Sequence, residues 1–498
     1  MARILVIGGG VAGLASALAL AQDGHEVRIV ERDPTPLPAS PVEAFERWER
    51  RGAPQVWHSH AFLARLRNLL RDRAPHVLAA LHAAGAYDLR FADYLPRTVE
   101  DRTPEPGDEE LTLFACRRIT FEWVLRREVL KLPGVGWRCG AEVEGLVAER
   151  DAASGLPRVV GARVRTEEGA STWDADLVVD ASGRRSRVVP WLAAIGAGAV
   201  EEAAEECGIF YCSRFYRLRP GASPPPEQGV VGADLGYMKF AIFPGDGGIF
   251  SITLAAALVD DPMRALLREG PFEAAARALP ATREWIDPAR AEPVTPVRAM
   301  AKLLNRRRRF VRDGQPLALG FHVVGDAAIC TNPLYGRGCT LAFVHAFALA
   351  DVLREHAADP VAAALAFDAA TGRELVPWYR AARDQDREAR AVAAAQARGE
   401  APTESAPLAS APDRPVDPQA FARSVLREGL IPALRTDATV VRAFMRVFNL
   451  LAPPDALIRD PAVVARVLAV WRDRDRRPPL PVAGPERSAM VELLSRAA

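Results

Sequence analysis

Apolar and polar positions change period early in the chain. The run Ile4 to Ile7 predicts a short buried strand, and the alanine- and leucine-rich stretch after Gly13 predicts a helix. A second apolar run, Val27 to Val30, predicts another strand and ends in Glu31. Further on, Glu142 to Val147, Arg158 to Arg165 and Asp174 to Asp180 predict three strands separated by turn residues. Residues 207–255 are strand-like again. On the strand through 207–217, Tyr211, Ser213 and Phe215 should share one face, and Cys212, Arg214 and Tyr216 the other.

Residues 341–395 predict helices, and 401–418, rich in proline, alanine and serine, predict a linker. Beyond it, Val440, Val441, Phe444, Val447, Phe448 and Leu451 form one helical stripe, and Val463, Val464, Val467, Leu468 and Trp471 another. These helices read either as a cap on the core or as a lid over an apolar ligand or membrane. The run Arg306 to Arg309 reads as a solvated approach to a strand, and His322 as a core or edge position. Strands alternating with helices up to about residue 395 make the class α/β, with an α+β sheet inserted between two dinucleotide-type segments.

The 498 residues suffice for about three average domains. An apolar content of 49% with 26% charged residues is that of an ordinary globular protein. A net charge of +1 gives no reason to expect nucleic acid or an anionic membrane as partner. No apolar run approaches the roughly 18 residues needed to span a bilayer, and three glycines interrupt the N-terminal run, which argues against a signal peptide. Six cysteines without paired spacing point to free thiols in a reducing cytoplasm rather than to disulfides or zinc.

Candidate chemistry begins with Gly8-x-Gly10-Val11-Ala12-Gly13, which follows a strand, opens a helix, and is answered by Glu31 at the end of the next strand. Gly8 allows the tight turn, Gly10 lets the backbone approach a pyrophosphate, and Gly13 lets helix and strand pack closely. The helix N-terminus faces the phosphates, and Glu31 (with Arg32 beside it) is placed for a ribose diol. Two later segments repeat the strand-to-glycine-turn pattern. One is Asp180-Ala-Ser182-Gly183. The other is Gly325-Asp326, followed by Pro333, Tyr335, Gly336, Gly338 and Cys339. Asp326 can accept from a polyol hydroxyl, and N–H groups near Gly336 to Thr340 can face an electron-rich ring edge.

In that order, with Arg118 in Arg118-Ile-Thr-Phe121-Glu122, these motifs resemble the FAD-dependent monooxygenases of the aromatic-hydroxylase and squalene-epoxidase type. The resemblance covers roughly residues 1–355. It implies a Rossmann-like FAD-binding domain (1–187 and 300–395), an interleaved β-sheet substrate domain (188–299) and a C-terminal helical region (419–498) after the linker. It implies FAD held by the glycine, acidic and arginine positions above together with Val143, and NADH or NADPH as electron donor, directly or through a flavin reductase. It implies O₂ and an apolar or aromatic small molecule as co-substrates, with oxygen delivered by a C4a-hydroperoxyflavin. The alternatives within the fold are a reductase of isoprenoid-like double bonds and a non-catalytic escort.

Two departures stand out. The middle motif lacks the usual Asp-Gly pair that serves FAD and NADPH, and the tryptophan-halogenase W-x-W-x-I-P signature is absent. The segment Arg51 to His60 is similar to a G-x-P-Q-x-x-H-x-H stretch of some members, which implies that His58 and His60 lie near the flavin. Substrate contacts are expected from His58, His60, Tyr211, Ser213 and Tyr237. A metal site and a catalytic triad are not expected, and no activating base is identifiable.

Overall fold

In the computed structural model, which describes residues 1–225, 231–398, 418–477 and 482–498, β1 (Arg3–Ile7) is the middle strand of a five-stranded parallel sheet. α1 (Val11–Gln22) leads to β2 (Glu26–Glu31), which pairs with β1 so that Ile4 faces Val27 and Ile7 faces Val30. α2 (Arg118–Val129) precedes β3 (Val135–Cys139) on the outer side of β2. On the other side of β1 run β4 (Leu177–Asp180) and then the strand Phe321–Val323. The chain therefore leaves β1 to one side and returns to the other. Open α/β sheets bind ligands at such a switch point, beyond the carboxyl ends of the strands. Ile4, Leu5, Val6 and Ile7 are all buried because helices cover one face and the antiparallel strands of residues 142–174 cover the other, which is why this strand reads as a continuous apolar run.

The strands Glu142–Arg150, Pro157–Thr166 and Gly169–Asp174 form an antiparallel sheet in the crossover from β3 to β4. The expected single strand from Asp174 to Asp180 is in fact two. The first ends at Asp174, and Asp176 then joins the parallel sheet: its N–H donates to the Arg3 carbonyl at 2.8 Å, and its carboxylate accepts the Arg3 N–H at 2.8 Å.

β5 (Ile209–Leu218), β6 (Met238–Pro244) and β7 (Ile249–Ala257) belong to a six-stranded sheet. One face carries Phe210, Cys212 and Tyr216 with Phe240, Ile252 and Leu254. It is sealed by Phe272, Met490 and Leu494 from the helices Glu269–Ala278 and Arg487–Arg496. The other face carries Tyr211, Ser213 and Phe215 toward the parallel-sheet half, as the alternation predicted.

Arg306 and Arg308 correct an expectation. The strand Leu304–Arg309 turns both inward, and both are buried. Arg306 donates to the Arg184 carbonyl at 2.7 Å, while Arg308 binds Glu202 and the Ala327 carbonyl at 2.6 and 3.0 Å. Backbone acceptors repay the desolvation that a charged run would otherwise avoid.

α3 (Gly338–Glu355) packs on α1 through Phe343, Ala346 and Phe347 against Leu14 and Leu18. α4 (Val376–Ala397), α5 (Ala438–Phe448) and α6 (Pro461–Arg472) complete the helical side. The expected linker lies outside the described residues apart from Pro418, where a helix starts. No helix among the described residues is long and apolar enough to cross a membrane.

Candidate active site

Gly8 turns the chain out of β1 at φ +100°, and its N–H donates to the Val30 carbonyl at 2.8 Å. A Cβ on Gly13 would sit 1.8 Å from the Gly8 carbonyl oxygen, so only glycine lets α1 begin this close to the strand. A Cβ on Gly10 would meet nothing within 4 Å, because that direction is open cavity. α1 begins with no side-chain cap, so its first N–H groups face the same space. Glu31 closes this corner. Its carboxylate accepts the Gly9 N–H at 3.0 Å and the Asp33 N–H at 2.8 Å.

Behind the turn lies a buried ionic network. Arg50 bonds Glu122 at 2.7 Å and Asp33 at 2.8 Å, and stands 3.4 Å from Glu31. Burial pushes the Glu122 carboxyl up, but Arg50 and Arg118 outweigh it and hold the group down at about 2. Arg118 stands 2.6 Å from Glu122, yet its Nε has no hydrogen-bond partner among the described residues. A buried guanidinium at a cavity wall with an unused N–H suits an anionic ligand group.

The Gly325–Thr340 loop supplies the opposing wall. Gly325, at φ +65°, abuts α1, and its Cβ would fall 2.8 Å from that of Ala12. Its N–H donates to His345 Nδ1 at 3.1 Å. Burial raises the Asp326 carboxyl, with Arg184 and Arg306 pulling it back. Asp386, from the distant helix α4, accepts from Asn305 (2.6 Å), Asn332 (2.8 Å) and Tyr335 (2.8 Å) and so holds the loop. Gly336 turns at φ +66°, and α3 starts at Gly338 with no side-chain cap.

One cavity of about 2130 Å³ runs between these walls. It is lined by Gly8, Gly10, Val11, Ala12, Glu31, Arg32, Arg118, Val143, Asp326, Pro333, Gly336, Gly338 and Cys339, and also by His60 and Tyr211. Gly13 and Gly325 lie behind the wall as packing positions. The cavity continues along the exposed face of β5–β7 past Ala241, Phe243, Thr253 and Ala255, and then reaches Leu426, Ile431, Phe444, Val447 and Phe448 in the C-terminal region. The C-terminal helices are thus a wall of the cavity as well as packing for the core.

The turn after β4 departs from a simple cofactor contact. Asp180 is buried and accepts from Ser182 and Ser186, each hydroxyl at 2.5 Å, while Ser182, Gly183 and Arg184 face the cavity. Among the described residues no cluster of three or more His, Cys, Asp or Glu could hold a metal, and all six cysteines are free.

His58 and Ser213 do not line the cavity. They lie one layer behind it, joined at 3.1 Å. Burial pushes the His58 imidazole down to about 4, with Arg298 adding to the effect. Burial pushes His60 down to about 3, and its Nδ1 pairs with the His58 carbonyl at 3.0 Å. Tyr237 corrects an expectation. Its hydroxyl donates to the Pro485 carbonyl at 2.6 Å and its ring packs with the outer-face cluster, because it lies in the turn between Val231–Asp234 and β6, outside the strand's alternation, while Lys239 within β6 lines the cavity. Sequence reasoning missed Asp386, His345, Ser59, Ser251 and Thr253. For the last two the signal was present, since Ser251, Thr253 and Ala255 repeat at i, i+2 in an apolar strand.

The fold and site define an FAD-dependent oxidoreductase, and the chain belongs to that family. The FAD dependent oxidoreductase family model matches residues 3–78. Over 359 residues the chain is 30% identical to Protein Rv3254 of Mycobacterium tuberculosis, spanning 69% of this chain and 71% of that protein. Among solved structures, the fold is similar to PqsL of Pseudomonas aeruginosa in complex with 2-aminobenzoylacetate, with TM-score 0.56 and 18% identity over 80% of this chain and 98% of that one. It is also similar to the OxyS anhydrotetracycline hydroxylase of Streptomyces rimosus, with TM-score 0.55 and 19% identity over 90% and 76%. The myxobacterial chondrochloren halogenase CndH gives TM-score 0.55 and 18% identity over 100% and 96%.

Proposed function

We propose that the chain is a monooxygenase that inserts one oxygen atom from O₂ into a bulky apolar or aromatic small molecule, by hydroxylation or epoxidation. NADH or NADPH is the electron source, directly or through a flavin reductase. The observation that carries this reading is the single cavity joining the Gly8–Gly13 turn to the face of β5–β7. Its volume exceeds the roughly 300–1,000 Å³ of a drug-sized pocket, so it has room for a dinucleotide and a second large ligand.

The residues fit FAD. The open space at Gly10 and the uncapped start of α1 suit the pyrophosphate, with Arg118 as a cationic neighbour. Glu31 suits the adenosine ribose, with Arg32 and Val143 beside it, and Asp326 suits the ribityl chain. N–H groups from Gly336 to Cys339 suit the pyrimidine edge of the ring. Bound FAD would supply the redox and oxygen-activating chemistry. The chain's own work is to orient the substrate against the ring and keep water out, which the apolar Phe243, Ala255, Val447 and Phe448 favour.

The test is reconstitution with FAD, followed by anaerobic stopped-flow reduction with NADH and NADPH and by measurement of oxygen uptake. Flavin-dependent oxygen uptake whose peroxide release falls when substrate is added supports the reading. A protein that takes up no FAD sinks it.

A further inference from the structure

Three hydroxyl-bearing side chains line the cavity beside the β5–β7 sheet: Ser59, Thr253 and Tyr211. Ser59 and Thr253 belong to a chain of four hydroxyls that ends on an imidazole. Ser59 Oγ donates to Ser251 Oγ at 2.7 Å, and Thr253 Oγ1 donates to Ser59 Oγ at 2.7 Å. Ser213 Oγ lies 2.7 Å from Thr253 Oγ1, and His58 Nδ1 lies 3.1 Å from Ser213 Oγ.

A hydroxyl has one proton to give. Thr253 spends its proton on Ser59, so Ser213 must donate to Thr253. Ser213 has then none left for His58, and the imidazole must donate from Nδ1–H. Burial keeps that ring neutral, so Nδ1–H is its one N–H. The chain therefore runs from His58 through Ser213, Thr253 and Ser59 to Ser251. Tyr211 follows the same pattern, its hydroxyl donating to Met300 Sδ at 2.9 Å. All three hydroxyls have used their protons on the protein and offer lone pairs only.

We propose that this wall reads a hydrogen-bond donor on the substrate. An O–H or N–H group lies against Ser59, Thr253 and Tyr211, and an analogue with that oxygen methylated is rejected. His58 acts as a positioning residue that sets the direction of the chain without touching the substrate. The proposal rests on this cavity being the substrate cavity of the proposed monooxygenase. It adds a specificity rule that the flavin chemistry does not contain. A donor gains an acceptor here, whereas an ether or ketone oxygen meets lone pairs and loses its hydration without return.

The test uses FAD-loaded enzyme, so that the cofactor has already made its own contacts. 2-Naphthol, 2-naphthylamine and 2-methoxynaphthalene share one ring system and are titrated by calorimetry and by perturbation of the flavin spectrum. Both donors should bind at least about tenfold tighter than the ether. Ser251→Ala, one layer behind the cavity, releases the proton of Ser59, and should narrow the gap between ether and naphthol to about threefold. The proposal is overturned if the ether matches naphthol in the wild-type protein, if neither binds by about 1 mM, or if Ser251→Ala leaves the ratio unchanged. The wild-type comparison decides the matter even if Ser251→Ala does not fold. Flavin content and oxygen uptake of the same sample report separately on the monooxygenase reading.

Discussion

His345 accepts the backbone N–H of Gly325 at 3.1 Å, and through it α3 holds the loop that carries Asp326. Its other nitrogen lies 2.9 Å from Thr371 Oγ1, and that hydroxyl already donates to the Phe367 carbonyl at 2.8 Å. Nε2 must therefore carry the proton and Nδ1 the lone pair. His345→Leu leaves the Gly325 N–H buried and unpaired, at a cost of about 1–3 kcal/mol. Thermal unfolding should show that loss. FAD affinity, read by quenching of flavin fluorescence, should fall because Asp326 is no longer held.

Acid should unfold the protein through its buried histidines. Burial pushes His345 down to about 3 and His322 to about 4, and it pushes His58, with help from Arg298, to about 4. In the unfolded chain each titrates near 6.5. As pH falls below that value the unfolded state takes up protons first, so stability present above about pH 6.5 is lost progressively toward pH 4. At pH 5 each group costs roughly 2 kcal/mol. Tm should drop steadily from pH 7 to pH 5, and the drop should be smaller in His345→Leu. A flat profile would contradict the burial of these rings.

Two glycines of one turn should fail in different ways. Gly13→Ala puts a methyl group 1.8 Å from the Gly8 carbonyl oxygen, so the β1–α1 unit cannot close, and little folded protein is expected. Gly10→Ala has open space around its new methyl, so the apoprotein should keep its Tm. That space is where the pyrophosphate is proposed to lie, and FAD affinity should fall by at least about tenfold. An unchanged affinity would move the cofactor elsewhere.

Removing Arg50 should be among the most damaging single changes. Its guanidinium is shared by Glu122, Asp33 and Glu31, and Arg50→Met leaves that acidic group facing only Arg118 and Arg126. Breaking a buried pair from one side costs about 3–5 kcal/mol. Arg50→Lys should recover little of this, since one ammonium cannot span three carboxylates. Chemical denaturation of the two variants checks the ranking.

The parts of this molecule that were legible in sequence are local or periodic. The β1–α1–β2 turn could be read because glycine spacing and a terminal acid act within thirty residues. The faces of β5 could be read because a strand alternates strictly. What could not be read depends on partners far apart in the chain. Arg306 and Arg308 look solvated until carbonyls at Arg184 and Ala327 are brought to them. Asp386 sits in an ordinary charged helix, and only the fold shows it holding Asn332 and Tyr335. Tyr237 failed because the apolar run does not say where the strand begins, and β6 starts one residue later, at Met238, after a turn.

The C-terminal helices are packed on the body at several places: Ala438 and Val441 share a core with Phe91, Leu95, Val99 and Leu111, and Met490 and Leu494 close one face of the β5–β7 sheet. Asn449 Oδ1 accepts the Ala64 N–H at 2.9 Å, and Arg442 pairs with Asp108 and Glu105 at 2.8 and 2.7 Å. Phe444, Val447 and Phe448 also line the cavity that begins at the glycine turn. The glycine turn and this part of the cavity wall are therefore written in separate stretches of the gene. Substitution of Phe444, Val447 and Phe448 changes which molecules fit while leaving the glycine turn intact, and drift at these three positions is a route by which such a lineage diversifies its chemistry.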